Sequence, residues 1–370
     1  MGEVVFVGTG KGAVALRRNG NGWRHQGLKL QGWLVTAATQ GPDGRYYIGV
    51  TSDVYGCTIV VTEDFESFAP LENGPRYEEG ERGIDMHNRL MGAMDPQGEK
   101  SASQRYVDQI WKLHCDGKRL YAGVSEAGLF TSDDLGASWQ PVRGLNDHPS
   151  RDGWDAGFGG LCCHSILTDA KDPKRLWAGI SAAGVFRSDD GGESWIPANE
   201  GVSVSEGYCV HGLAHDPDHA DVIYRQDHRG FYRTDDGGEF WHLIENGLPI
   251  GELSDNHRCV FGFPAVMNVA TDAVFAIPLA GDNHRFPKNG DLAVYRTRTK
   301  GQNWERLDNG LPSDFYTSIL RGAMAVDQGA DFGVYFGTSG GQVFISENGG
   351  RQWEEVVSGL AKVMCVASFQ

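Results

Sequence analysis

The stretch Arg187–Trp195, RSDDGGESW, decides the fold, because the chain writes it again as RTDDGGEFW at Arg233–Trp241. Self-similarity of this kind is the mark of a repeat architecture, and it has to be settled before any single element is read. Further copies are TSDDLGASW ending at Trp139, RTRTKGQNW ending at Trp304 and ISENGGRQW ending at Trp353. Two weaker ones come first: RRNGNGW ending at Trp23, and VTEDFESF, where Phe68 takes the place of tryptophan. Seven units then cover the chain, at spacings of 45, 71, 56, 46, 63 and 49 residues.

Around each strong copy the chain repeats one pattern, seen in CCHSILTDAKDPKRLWAGISAAGVFRSDDGGESWIPA from Cys162 to Ala198. Four short runs of branched and aromatic residues are separated by turns rich in Asp, Gly and Pro. Four strands in about 50 residues is the size of one propeller blade. Aspartate and serine side chains in the turn bond nearby backbone amides, glycine supplies positive φ, and the tryptophan packs beneath the hairpin. The repeated stretch is therefore first a folding device. The expected architecture is all-β: one seven-bladed propeller over residues 1–370, with four strands per blade.

The repeated turn resembles the Asp-box or BNR repeat, S/T-x-D-x-G-x-T/S-W. It fits closely at Ser132–Trp139 and Ser188–Trp195, carries Phe240 in place of the hydroxyl residue at Thr234–Trp241, and is looser in the copies ending at Trp304 and Trp353. Similar repeats occur in sialidases, other glycoside-active propellers, sortilin-type receptors and photosystem II assembly-factor propellers. The resemblance implies a fold much more than a function. The Arg-Ile-Pro signature of the first sialidase blade is absent and no arginine triad can be assigned, so the sialidase mechanism does not carry over.

The first run, VVFVGTG at Val4–Gly10, aligns with the second strand of later blades, such as RLWAGIS at Arg175–Ser181. Blade one thus lacks its innermost strand. The last segment, KVMCVASF at Lys362–Phe369, has the character of one and is expected to complete that blade, closing the ring and removing two exposed edges. The repeated turn joins the third and fourth strands on one face. Long connections at 69–107, 140–160, 242–258 and 279–290 fall on the other, where binding loops are carried on a rigid scaffold.

Composition narrows the function classes. The net charge of −16 repels phosphate backbones and anionic lipid surfaces, so neither nucleic acid nor membrane is expected as a partner. No apolar run approaches the roughly 18 residues of a membrane helix, and no signal-peptide pattern opens the chain. Seven cysteines, odd in number and without CxxC spacing, argue against a disulfide framework or zinc ribbon. A reducing, cytoplasmic location is the expectation. GTGKGA at Gly8–Ala13 lacks phosphate-loop spacing, there is no GxSxG elbow, and Cys163 reads as core.

The chemistry-bearing residues gather on the open face. His164 and His211 lie thirteen residues before the aromatics Trp177 and Tyr224 of their second strands, which places both at the channel mouth. Loops bring His87, His228, His257 and His284 to the same rim. Imidazoles converging from separate loops, with carboxylates to orient them, are what one divalent transition metal requires. Ordinary loop hydrogen bonds are the competing reading for each histidine. His211 and His215, four residues apart in a strand, are roughly 13 Å apart and do not chelate together.

Acidic and aromatic residues add Tyr77, Asp85, Asp155 and Tyr316 as candidate proton-transfer groups. Trp154, Arg258 and Arg321 are candidate substrate contacts, the arginines as anion anchors. The sequence thus points to an intracellular enzyme acting on a small polar molecule, a carbohydrate or carboxylated metabolite, by metal-assisted lyase or hydrolase chemistry. Two alternatives stand beside it: a non-catalytic binding or assembly propeller, and a glycoside hydrolase using two carboxylates about 5 to 10 Å apart.

Overall fold

A computed structural model describes residues 3–20, 22–81, 104–156, 160–204 and 207–369. It contains seven four-stranded antiparallel sheets arranged as the blades of a propeller. Blade four shows the common plan, with strands Cys162–Thr168, Leu176–Ser181, Gly184–Ser188 and Ile196–Pro197 paired in chain order from the inside outwards. Only blade one breaks that order. Its innermost strand is Val363–Phe369, which pairs antiparallel with Val4–Thr9 in the register Val4↔Phe369 and Val7↔Val366. The ring is closed by its own C-terminus, as the missing first strand predicts.

The repeated turn has one geometry wherever its residues allow. In blade four the Ser188 hydroxyl accepts from Gly192 N at 2.9 Å, and Asp190 accepts from Ser194 N at 2.9 Å. Gly192 takes φ +96° to make this approach, a region that side chains with a Cβ rarely enter. The looser copies keep the bonds with other atoms. Thr299 replaces the aspartate in blade six, accepting from Asn303 N at 3.0 Å, and Asn348 does so in blade seven, accepting from Gln352 N at 2.9 Å. A hydroxyl or amide oxygen serves as well as a carboxylate, which explains why the sequence motif drifts while the turn persists.

The core lies between neighbouring blades. Trp177 and Trp241 are fully buried there, and Trp241 Nε1 donates to Ala198 O at 2.9 Å. Nearest the channel, the innermost strands of blades one to six each break register at one point, at Met364, Thr36, Trp111, His164, His211 and Phe263–Pro264. Such bulges turn a side chain out of the pleat. Several of these side chains bond the next blade. Thr36 Oγ1 donates to Ile110 O at 2.5 Å, His164 Nε2 to Val210 O at 2.8 Å and His211 Nδ1 to Gly262 O at 2.6 Å. The two histidines thus occupy a position the repeat uses to tie blade to blade.

Candidate functional site

Blade five departs from the repeat in its second strand. Where blade four has Ala178 and Gly179, it carries Arg225 and Gln226, both fully buried. Arg225 is paired with Asp227 at 2.5 Å and donates to Asn199 Oδ1 at 2.7 Å. Gln226 Nε2 donates to the carbonyls of Asp227, Gly230 and Val260. A buried polar network of this kind is costly unless every member is satisfied, and it holds the adjoining second-to-third-strand turn rigidly. His228 sits in that turn.

That turn faces the start of the same blade's innermost strand. One donor atom from each of Cys209, His211 and His228 lies within 4.8 Å of the others. His211 is the best prepared. Its Nδ1 hydrogen is committed to the Gly262 carbonyl, so the Nε2 lone pair is bare, as in metal-binding histidines whose other nitrogen donates to a carbonyl. Asp282 lies 3.7 Å from His228 Nε2 and is itself held by Ser254. Burial lowers the pKa of both imidazoles and keeps them neutral, while Phe261 and Phe263 wall them in. Burial also raises the Cys209 thiol, with the Arg321 guanidinium acting in the opposite sense. Thiolate and imidazole together suit zinc, with a coordination position left open for a ligand.

Arg321 overhangs the trio. It precedes the innermost strand of blade seven, lies 5.2 Å over the Phe263 ring of blade six and reaches Ser181 Oγ of blade four at 3.3 Å. Ser181 Oγ is in turn 3.2 Å from Cys209 Sγ. The mouth therefore combines soft metal ligands with a cation.

The remaining expected residues divide among other places. His164 is buried and uses both ring nitrogens, on Ser165 Oγ and Val210 O, so it supports the blade junction and does not join His211 in the trio. Arg258, His284 and Tyr316 line a separate cleft of about 730 Å³ beside the mouth, where Tyr316 meets Phe286 edge to face. His257 lies in the 242–258 connection, its backbone nitrogen bonded to Asp255, outside both groups. Tyr77 is buried against Phe130 and Arg105 and donates to Glu126 O at 2.7 Å. Trp154 is buried over Phe186 and donates to Ser150 Oγ, and the Asp155 backbone pairs with Ala182. Asp85 and His87 lie outside the described residues. Cys209 escapes a motif search: it lies just before the Val210–His215 strand, and the bulge at His211 brings the two side chains together.

Neither a protein-family model nor a curated protein sequence matches the chain. Solved structures do resemble it. An ancestral GH74 enzyme is 14% identical with a TM-score of 0.54, the alignment covering 96% of this chain and 40% of that one. The GH74 enzyme of Niastella koreensis is 17% identical with a TM-score of 0.53, covering 96% and 47%. YCF48 from Cyanidioschyzon merolae is 14% identical with a TM-score of 0.50, covering 89% and 87%. The chain spans less than half the length of the two GH74 proteins. At these identities the likeness is one of fold alone.

Proposed function

We propose that this propeller is a metal-assisted lyase or hydrolase acting on a small, polar, carboxylated molecule at the mouth of its channel. The observation that carries the reading is the Cys209, His211 and His228 trio, its donor atoms within 4.8 Å, with one imidazole pre-oriented by a backbone carbonyl. A divalent transition metal, zinc by ligand type, would be held by these three residues and would polarise a substrate oxygen or lower the pKa of a bound water. Asp282 lies 3.7 Å from His228 and favours positive charge there, Arg321 would anchor an anionic group beside the trio, and Phe261 and Phe263 wall the site on one side. Arg258, His284 and Tyr316 would meet the more distant part of a larger substrate in the adjoining cleft.

Elemental analysis of untagged protein tests this reading. Close to one equivalent of zinc or a similar metal is expected in the wild type, lost in both Cys209→Ala and His228→Ala while the fold persists. Wild-type protein that retains no stoichiometric metal after dialysis against zinc would sink it.

A further inference from the structure

The chain is strongly acidic, yet two cationic side chains, Lys112 and Arg321, stand at its central channel. Lys112 follows the bulge in the innermost strand of blade three and keeps contact with solvent. Its side chain is exposed, and its charge is felt at His114, at His164 of blade four and at Cys365 in the closing strand of blade one. Among the described residues, no carboxylate pairs with it. Arg321 crosses the mouth from blade seven to blade four, two blades that are not neighbours, and its one hydrogen bond there goes to Ser181 Oγ. Its Nε is buried with no partner at all. Its field also reaches His164 and His211.

Two cations facing one channel with no carboxylate partner among the described residues leave their positive charge uncompensated there. Elsewhere such charge is balanced. Arg151, Arg175, Arg225 and Arg296 each have a carboxylate partner. The Nε atoms of Arg151 and Arg296 also lack a partner, but those guanidinium groups meet carboxylates through their other nitrogens, which Arg321 does not among the described residues. Because charge is focused in a channel with low-dielectric walls, an oxyanion entering here would meet both cations with little competition from water.

We propose that the channel is an anion-binding site in which Arg321 at the mouth and Lys112 further in grip one small ligand bearing carboxylate or phosphate groups. Arginine offers the planar fork that carboxylate and phosphate oxygens fit, and lysine supplies a second point charge. The proposal rests on the reading above only in placing the ligand's anionic end beside the metal trio. It stands without the metal, because both cations lie outside that trio.

The test uses full-length protein freed of metal with a chelator and held in a low-salt buffer without phosphate or carboxylates. Inorganic phosphate and succinate are each titrated calorimetrically into wild type, Arg321→Gln and Lys112→Met. Saturable binding of one equivalent of either anion is expected, weakened about ten-fold or more by each substitution, a loss of about 1.4 kcal/mol. Preference for phosphate or for succinate identifies the headgroup. Thermal melting in the same buffer gives a second readout: the bound anion should raise the midpoint of the wild type and not that of Lys112→Met. Without anion, Lys112→Met should melt no lower than wild type, as removal of an uncompensated charge requires. No saturable binding of either anion by folded wild type, or binding that both substitutions leave unchanged, would overturn the inference. Zinc retention is scored separately on wild-type protein not exposed to the chelator, so failure here is distinguishable from failure of the metal site.

Discussion

Mild acid should loosen the junctions between blades three, four and five through two histidines that are not metal ligands. His114 Nε2 bonds Thr168 Oγ1 across one junction at 3.0 Å, and His164 Nε2 bonds Val210 O across the next at 2.8 Å. Burial pushes each imidazole pKa down to about 3, with neighbouring cations adding to the shift. In the unfolded chain a histidine titrates near 6.5, so below that pH the unfolded state binds a proton that the folded state refuses. Stability is therefore complete above about pH 6.5 and is lost as pH falls from there towards 3. At pH 5.5 the loss is about 1.4 kcal/mol per histidine, or about 3 kcal/mol for the two. Urea unfolding at pH 7.5 and 5.5 measures it. His164→Gln keeps a donor but does not titrate, so its stability should fall by about 1.4 kcal/mol less than that of wild type over the same interval. Equal losses in wild type and variant would refute the reasoning.

Three further outcomes follow from the packing. Deleting residues 363–370 removes the buried Val363, Val366 and Phe369, about 5–9 kcal/mol of apolar burial against a typical stability of 5–15, and leaves the inner edge of Val4–Thr9 open; the truncated chain should appear as aggregate in size-exclusion chromatography. Asp227→Asn strands the fully buried Arg225 and should cost about 3–5 kcal/mol in urea unfolding, much of it recovered by the double change Arg225→Met, Asp227→Leu. Tryptophan to phenylalanine should have unequal effects in two copies of the same turn: at Trp241 it breaks the bond to Ala198 O and should cost about 1–3 kcal/mol, whereas at Trp139, whose Nε1 has no partner, it should be close to neutral.

The fold was legible because the repeat advertises it. Ser188, Asp190, Gly192 and Trp195 act within a few residues of one another, and the C-terminal strand was inferred from a strand missing in blade one. The site was legible only in part, since its geometry depends on contacts between blades that no local pattern encodes. His164 and His211 stand at equivalent positions, yet a serine hydroxyl beside one and an open mouth beside the other separate a blade tie from a candidate ligand. His228 was accessible as a loop histidine. Cys209 was not, because a bulge at His211, which no cysteine spacing encodes, brings the two side chains together. The replacement of Ala-Gly by Arg225-Gln226 was the available signal that blade five had been diverted from simple packing. Tyr77 and Trp154 lie on the open face in sequence order, but apolar neighbours bury them, and burial is a property of the assembled ring.

Cobalt(II) titration of the metal-free protein tests the central claim most directly, because a thiolate ligand to cobalt gives an intense charge-transfer absorption and imidazoles do not. The account predicts such a band, saturating at one equivalent, with the ligand-field spectrum of a four-coordinate ion. It predicts that Cys209→Ser loses the band and that His164→Gln keeps it. A wild-type protein that shows no thiolate-to-cobalt absorption, or a band that survives in Cys209→Ser, would contradict a metal centre at the mouth of the channel.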